Sequence, residues 1–305
     1  MKTNLYSFLS ECCPGRNRDR FMPQGFSLVH VLLIIFLIVL VVSIILPSIP
    51  DRHKSYAYVV KQRYQFKSIE TALELFKSEF NGYPSSSALD ENGKPYCGAM
   101  KLGEAMMGQD LMGFHPDSVF RSDGTDGKGT LLYPDANNLP KEAYSRNRSV
   151  RKVRYLPLEN ANAYCLKDLY KNVDSFDGND YVICDIFRRV KHIRTGKKIG
   201  MPILYYKANT SKTAHDVNDP NNPDNIYNYR DNHALLALEV PGKPGQKHPL
   251  YENPKIFYEI TLNTKISGSS RPYRAGTYIL LSAGQDGLYG TKDDIANFDF
   301  RWRRE

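Results

Sequence analysis

The sequence predicts an α+β protein: a long N-terminal helix, transmembrane in its first half and amphipathic in its second, followed by an antiparallel β-sheet domain with long loops. Three observations predict it. Residues 26–47 read FSLVHVLLIIFLIVLVVSIILP and contain no Asp, Glu, Lys or Arg. Apolar residues then recur at helical spacing as far as Phe80. Beyond Tyr83 and Pro84, short β-prone runs alternate with clusters of Asn, Asp, Gly, Pro and Ser.

The apolar run is long enough, as a helix of about 33 Å, to match the hydrocarbon thickness of a bilayer. Its leader carries Lys2, Arg16, Arg18 and Arg20 against Glu11 and Asp19. The positive-inside rule then puts residues 1–25 in the cytoplasm and the bulk of the chain outside it. No small-residue cleavage pattern of a secretory signal follows the run. These features predict a single-pass protein of the inner, cytoplasmic membrane whose C-terminal domain is periplasmic or otherwise extracytoplasmic.

The second half of the helix carries one apolar stripe. Val59, Phe66, Ile69, Leu73, Phe76 and Phe80 share a face, and Lys61, Arg63, Lys67, Glu70, Glu74 and Lys77 lie largely elsewhere. Pro47 and Pro50 are expected to kink or locally melt the helix where its halves meet. Asn81-Gly82-Tyr83-Pro84 ends it, with Gly82 as the expected C-cap and Pro84 barring continuation. The expected segments are therefore a leader at 1–25, a transmembrane half at 26–50, an amphipathic half at 51–81 and an α+β domain at 82–305.

Within that domain, residues 129–133, 181–187, 202–206, 234–240, 256–262 and 277–282 read as strands of an antiparallel sheet. Clusters such as 216–228 (DVNDPNNPDNIYN) read as loops. The chain carries a net charge of +8, and basic residues concentrate at 146–154 and 188–198. No nucleic-acid motif accompanies them, so they read as solvated basic faces rather than a nucleic-acid surface. Cys97, Cys165 and Cys184 lack metal-ligand spacing; in an exported domain one pair is able to form a disulfide, and the sequence does not say which. GxSxG, HExxH, GxGxxG and Walker A motifs are all absent, which points away from an enzyme.

The C-terminal stretch from Thr277, TYILLSAGQDGLYGTKDDIANF, runs from a strand into a Gly-rich loop bearing Asp286, Asp293 and Asp294. Hard cations such as calcium take oxygen ligands from loop carboxylates and carbonyls, although the spacing is not that of an EF-hand. The same residues also read as two Asp-Gly turns beside a helix N-cap. The loops at 123–129 (DGTDGKG) and 177–180 (DGND) are weaker versions of the pattern.

The motif Gly25-Phe26-Ser27-Leu28-Val29, between a basic leader and an unbroken apolar helix, resembles the type IV pilin and type II secretion pseudopilin superfamily. Pro47 is the twenty-second residue after the motif glycine, where many members have a kinking proline. Asn81–Pro84 is similar to the turn that follows the helix in major pseudopilins, and the SAGQDGLYGTKDD ending resembles their calcium-binding loop. The resemblance implies a pilin-like fold, cleavage after Gly25 and methylation of Phe26 by a prepilin peptidase, and calcium at Asp286, Asp293 and Asp294. His30 stands at the filament-assembly position, where most members have Glu; a neutral His is cheaper to bury but is no anionic partner for a neighbour's amine. The implied partners are the peptidase, other pilin-like subunits in a homo- or hetero-filament, an inner-membrane assembly platform with its ATPase, and the membrane. The function expected is that of a structural subunit of a type II secretion pseudopilus or related filament. The rival is an inner-membrane-anchored extracytoplasmic binding or hydrolytic domain that uses the helix only as a tether.

Overall fold

The computed structural model describes residues 27–48, 52–137, 139–173, 176, 180–266 and 270–299, with the side chains of 44–48 and 52–55 also outside the description. Gly25, Phe26, Pro50 and 177–179 of the second weak acidic loop lie outside the described residues. The chain divides into two compact units, residues 1–51 and 52–305.

The described part of the first unit is helix α1, Leu28–Ser48, which includes Pro47 in its last turn. The second unit opens with α2, Arg52–Phe80. Residues 49–51, between α1 and α2, where Pro50 is expected to kink or melt the helix, lie outside the described residues. The transmembrane expectation is corrected: among the described residues, no helix is long and apolar enough to cross a membrane. Helix α2 is longer, but Lys61, Arg63, Lys67, Glu70, Glu74 and Lys77 interrupt it. The single-pass inner-membrane location rested on that spanning helix and is overturned with it.

In α2 the expected stripe is buried at Phe66, Ile69, Leu73 and Phe76, and Ala72 joins it. The helix ends at Phe80, where the apolar stripe ends. Asn81, rather than Gly82, takes the left-handed conformation, at φ 60°, a place Asn tolerates better than most side chains. Tyr83 then folds back, its ring edge-on to Tyr278 at 4.8 Å and its hydroxyl donating to Glu74 at 2.7 Å.

The rest of the second unit mixes short helices with small antiparallel sheets, in place of the single sheet domain that the sequence predicts. Helices α3 (Gly98–Met107), α4 (Lys141–Val150), α5 (Leu158–Ala161) and α6 (Leu166–Leu169) are followed by α7 (His233–Leu236), α8 (Pro249–Glu252) and α9 (Lys255–Thr261). Strands β1 (Ala163–Cys165) and β2 (Tyr181–Ile183) form one pair, and β3 (Val190–Lys191) and β4 (Lys198–Ile199) another. The largest sheet has the order β5-β6-β7, from Leu204–Lys207, Tyr278–Ser282 and Ile295–Ala296, all antiparallel.

That sheet is covered on both faces. Tyr278 and Leu280 of β6 join the cluster built on α2, whereas Ile279 and Leu281 join a second cluster with Tyr206 and Phe257. Burial on both sides is why β6 reads as the continuous apolar run YILL rather than an alternating one.

Two expected strands are helical. At 234–240, Asn228 caps a 3-10 turn over Tyr229–Asn232 by accepting from the Arg230 amide, and α7 continues it through Ala234, Leu235 and Leu236, all good helix formers. At 256–262, Pro254 already holds φ −61° and ψ −20°, and Asn253 Oδ1 accepts from the Lys255 amide, so helix α9 starts despite β-prone Ile, Phe and Tyr. The expected strand at 129–133 is a hairpin turn with a single bridge between Thr125 and Leu131. Asp126 Oδ1 accepts from the Lys128 and Thr130 amides there, so the 123–129 loop spends that carboxylate on its own turn.

Helix α3 has no counterpart among the expected elements. All ten of its residues are buried, including Lys101 and Glu104. Lys101 Nζ donates to the Ser87 and Leu89 carbonyls, each at 2.9 Å, and to Ser87 Oγ at 2.5 Å. Glu104 accepts from Tyr96, Ser118 and Tyr133 hydroxyls and from Gln109 Nε2. Its burial raises its pKa, and these donors oppose that shift. Cys97, Cys165 and Cys184 are free thiols, each buried, and burial pushes the Cys97 thiol up to about 11.

Candidate functional site

Two regions carry the residues singled out by the sequence. The first is α1. Every described side chain from Leu28 to Ser43 is exposed, with Leu28 at 77% and Phe36 at 66%. A helix that is apolar on all sides normally lies inside something larger. Ile34, Leu37, Ile38, Val41 and Val42, spaced at i, i+3, i+4, i+7 and i+8, line a shallow groove of about 280 Å³. That spacing is the one into which a side chain of another helix fits. His30 lies in the first turn, where its amide donates to the Ser27 carbonyl at 2.8 Å. The cleavage position, Gly25 and Phe26, lies outside the described residues.

The second region is the loop between β6 and β7. Gly284, at φ 63°, lets the loop close: a Cβ there would lie 2.2 Å from the Asp293 carbonyl oxygen. The Asp286 amide donates to Asp293 Oδ2 at 2.8 Å, and Thr291 Oγ1 donates to Asp293 Oδ1 at 2.6 Å. Asp286 Oδ1 accepts from the Leu288 amide at 2.8 Å. Asp294 turns inward, its Oδ2 accepting from the Gly290 amide at 2.7 Å while its Oδ1 is buried without a hydrogen-bond partner. Burial raises the pKa of Asp286 and of Asp294, and the neighbouring Asp293 charge adds to both shifts.

The loop thus brings Asp286 and Asp293 together and sends Asp294 into the interior. Among the described residues, no group of three or more His, Cys, Asp or Glu side chains is arranged to hold a metal ion. Asp286 and Asp293 also share a cavity of about 510 Å³ with the cations Arg189 and Lys243, which oppose a divalent cation there. The residue run after Asp294 is strand β7, so no helix N-cap follows the loop. What sequence reasoning missed is the anchor beneath it: the Tyr289 amide donates to His248 Nδ1 at 3.3 Å, and the two rings lie 4.8 Å apart. Burial, with Lys243 and Lys247 nearby, lowers the His248 pKa to about 4. His248 is 41 residues from Tyr289, and no local motif marks it.

No family model, no curated protein and no solved structure matches this chain.

Proposed function

We propose that the chain is a structural subunit of a type II secretion pseudopilus or a related type IV pilin-like filament, cleaved after Gly25 and assembled through α1. The observation that carries the reading is the apolar helix with every described side chain exposed. Copies of the same helix, or those of other pilin-like subunits, would bury it in a filament core, leaving residues 52–305 as the exterior. Head-to-tail packing of that kind need not close, and so builds an open filament. The role is mechanical. It calls on a prepilin peptidase, on further pilin-like subunits, and on an assembly platform driven by an ATPase.

The test is the amount of the chain in sheared filaments. Ile38→Asp sets a carboxylate in the α1 groove, where leaving it unpaired in a helix core costs several kcal/mol; incorporation is expected to fall by about tenfold or more. His30→Glu supplies an anion for a neighbour's N-terminal amine and is expected to raise incorporation. Unchanged filament fractions for Ile38→Asp would contradict assembly through α1.

Calcium at Asp286, Asp293 and Asp294 belongs to the same reading. It is supported by the buried, unpartnered Asp294 Oδ1 and by Asp286 and Asp293 lining one cavity. The full chain is expected to melt higher in calcium than in chelator, by about 2.7 kcal/mol of added stability at a hundredfold excess over the dissociation constant. Asp293→Ala removes the difference. Identical melting in calcium and in chelator sinks the calcium assignment and leaves a self-sufficient pair of turns.

A further inference from the structure

The basic run at 188–198 reads as a solvated face in the sequence, and the structure divides it. Arg194 turns to Asp168, its Nε and Nη2 donating to the two carboxylate oxygens at 2.7 Å each. Arg189 and Lys191 instead line a cleft of about 780 Å³. Lys171 reaches the same cleft from the segment after α6, and Lys243 from the turn after Val240. Side chains of these four cations make no hydrogen bond or ion pair among the described residues. Among the described residues the one carboxylate lining the cleft is Glu239; Asp168, outside the lining, is held by Arg194, with His192 Nε2 3.5 Å away.

Four cations with no ion-pair partner among the described residues, drawn from three separate stretches of chain, repel one another, and the fold gathers them around one concavity. Its walls are not simply polar. Leu169, Tyr170, Leu238, Val240 and Pro244 form much of the surface between the charges. The volume lies within the range of small-ligand sites. The adjoining cavity, which shares Arg189 and Lys243, holds Asp286 and Asp293, so one end of the cleft is partly neutralised and Lys171 and Lys191 mark the more positive end.

We infer that this cleft binds a small amphiphilic anion. Its phosphate or carboxylate head sits among Lys171, Arg189 and Lys191, and its apolar body lies over Leu169, Tyr170 and Leu238. The inference is independent of the filament reading, since it concerns residues 52–305 alone and its test measures no assembly.

Equilibrium dialysis of the full chain against octyl phosphate tests it, with octanoate, inorganic phosphate and octyl glucoside as comparison probes. One equivalent of octyl phosphate is expected per chain, held less tightly as salt is raised. Octanoate binding with similar affinity gives the carboxylate head; its failure to bind gives the phosphate head. Lys171→Glu with Lys191→Glu is expected to weaken binding by about tenfold or more, whereas Arg146→Glu with Arg148→Glu, on the exposed helix α4, leaves it unchanged. The single Lys→Gln variants, checked for unaltered melting, separate lost binding from lost folding. The inference is overturned if neither octyl phosphate nor octanoate is retained, or if the Lys171/Lys191 variants bind as the parent does. It is equally overturned if inorganic phosphate or octyl glucoside binds as tightly as octyl phosphate, for then either the apolar wall or the charge plays no part.

Discussion

Gly103→Val is expected to lower the melting temperature of residues 52–305 by roughly 10 °C, at about 3 kcal/mol or more of lost stability. Gly103 sits in the middle of α3, where glycine ordinarily costs about 1 kcal/mol relative to alanine. The structure gives the reason it is there. A Cβ at 103 would lie 2.5 Å from the Tyr181 carbonyl oxygen and 3.8 Å from the Val182 Cα, so α3 rests directly on the β2 backbone. Gly98 makes the same kind of approach to β5, with its Cβ position 2.2 Å from the Tyr205 carbonyl oxygen. A valine at 103 pushes α3 off β2 and loosens Leu102, Ala105 and Met106, which are buried in the cluster on α2. It also strains the hydrogen bonds that keep Lys101 and Glu104 satisfied in the core, and unsatisfied buried polar groups are costly. Gly82→Ala is the control, since nothing lies within 4 Å of its Cβ position. Near-ultraviolet circular dichroism melts of both variants check this; a Gly103→Val midpoint within a degree or two of the parent refutes the flush packing of α3.

Gly25→Leu is expected to have the largest effect on the proposed function. A peptidase that cuts between Gly25 and Phe26 accepts a small residue before the scissile bond, and leucine fills that space. The uncut chain keeps its basic leader, with Arg16, Arg18 and Arg20 close to the start of α1. Those charges would have to enter the core in which α1 packs, so assembly as well as processing is lost. The expected result is a chain about 25 residues longer than the mature form, and no detectable sheared filament. Normal processing of Gly25→Leu refutes cleavage at this site.

Local patterns in the sequence explain what could be read from it. The α2 stripe was legible because Phe66, Ile69, Leu73 and Phe76 keep helical spacing and all meet the core. The runs at 181–187, 202–206 and 277–282 overlap β2, β5 and β6 because β-branched and aromatic residues crowd into them. Helix α3 was illegible for a physical reason: GAMKLGEAMM places Lys101 and Glu104 where a surface helix would show charge, and tertiary partners far from either residue turn both inward. The strands expected at 234–240 and 256–262 failed because Asn228, Asn253 and Pro254 set helix starts just before runs short enough to go either way.

The sites follow the same division. A tight turn around Asp286 and Asp293 was legible in its glycines, but the inward rotation of Asp294 was not, since it depends on the Gly290 amide and the packing of Gly290 against Leu250. The basic cleft was invisible as a unit. Lys171, Lys191 and Lys243 are separated by stretches of chain that only the fold brings together. The largest difference is the spanning helix: the apolar run reads as a membrane span, and among the described residues no helix is long and apolar enough to cross a membrane.

The mass of the mature N-terminus tests the central claim most directly. Expressed beside a prepilin peptidase, the wild-type chain is predicted to begin at Phe26, carrying one methyl group on its amine and lacking residues 1–25. A chain that keeps its leader, or one that starts at any other residue, would contradict the filament-subunit account.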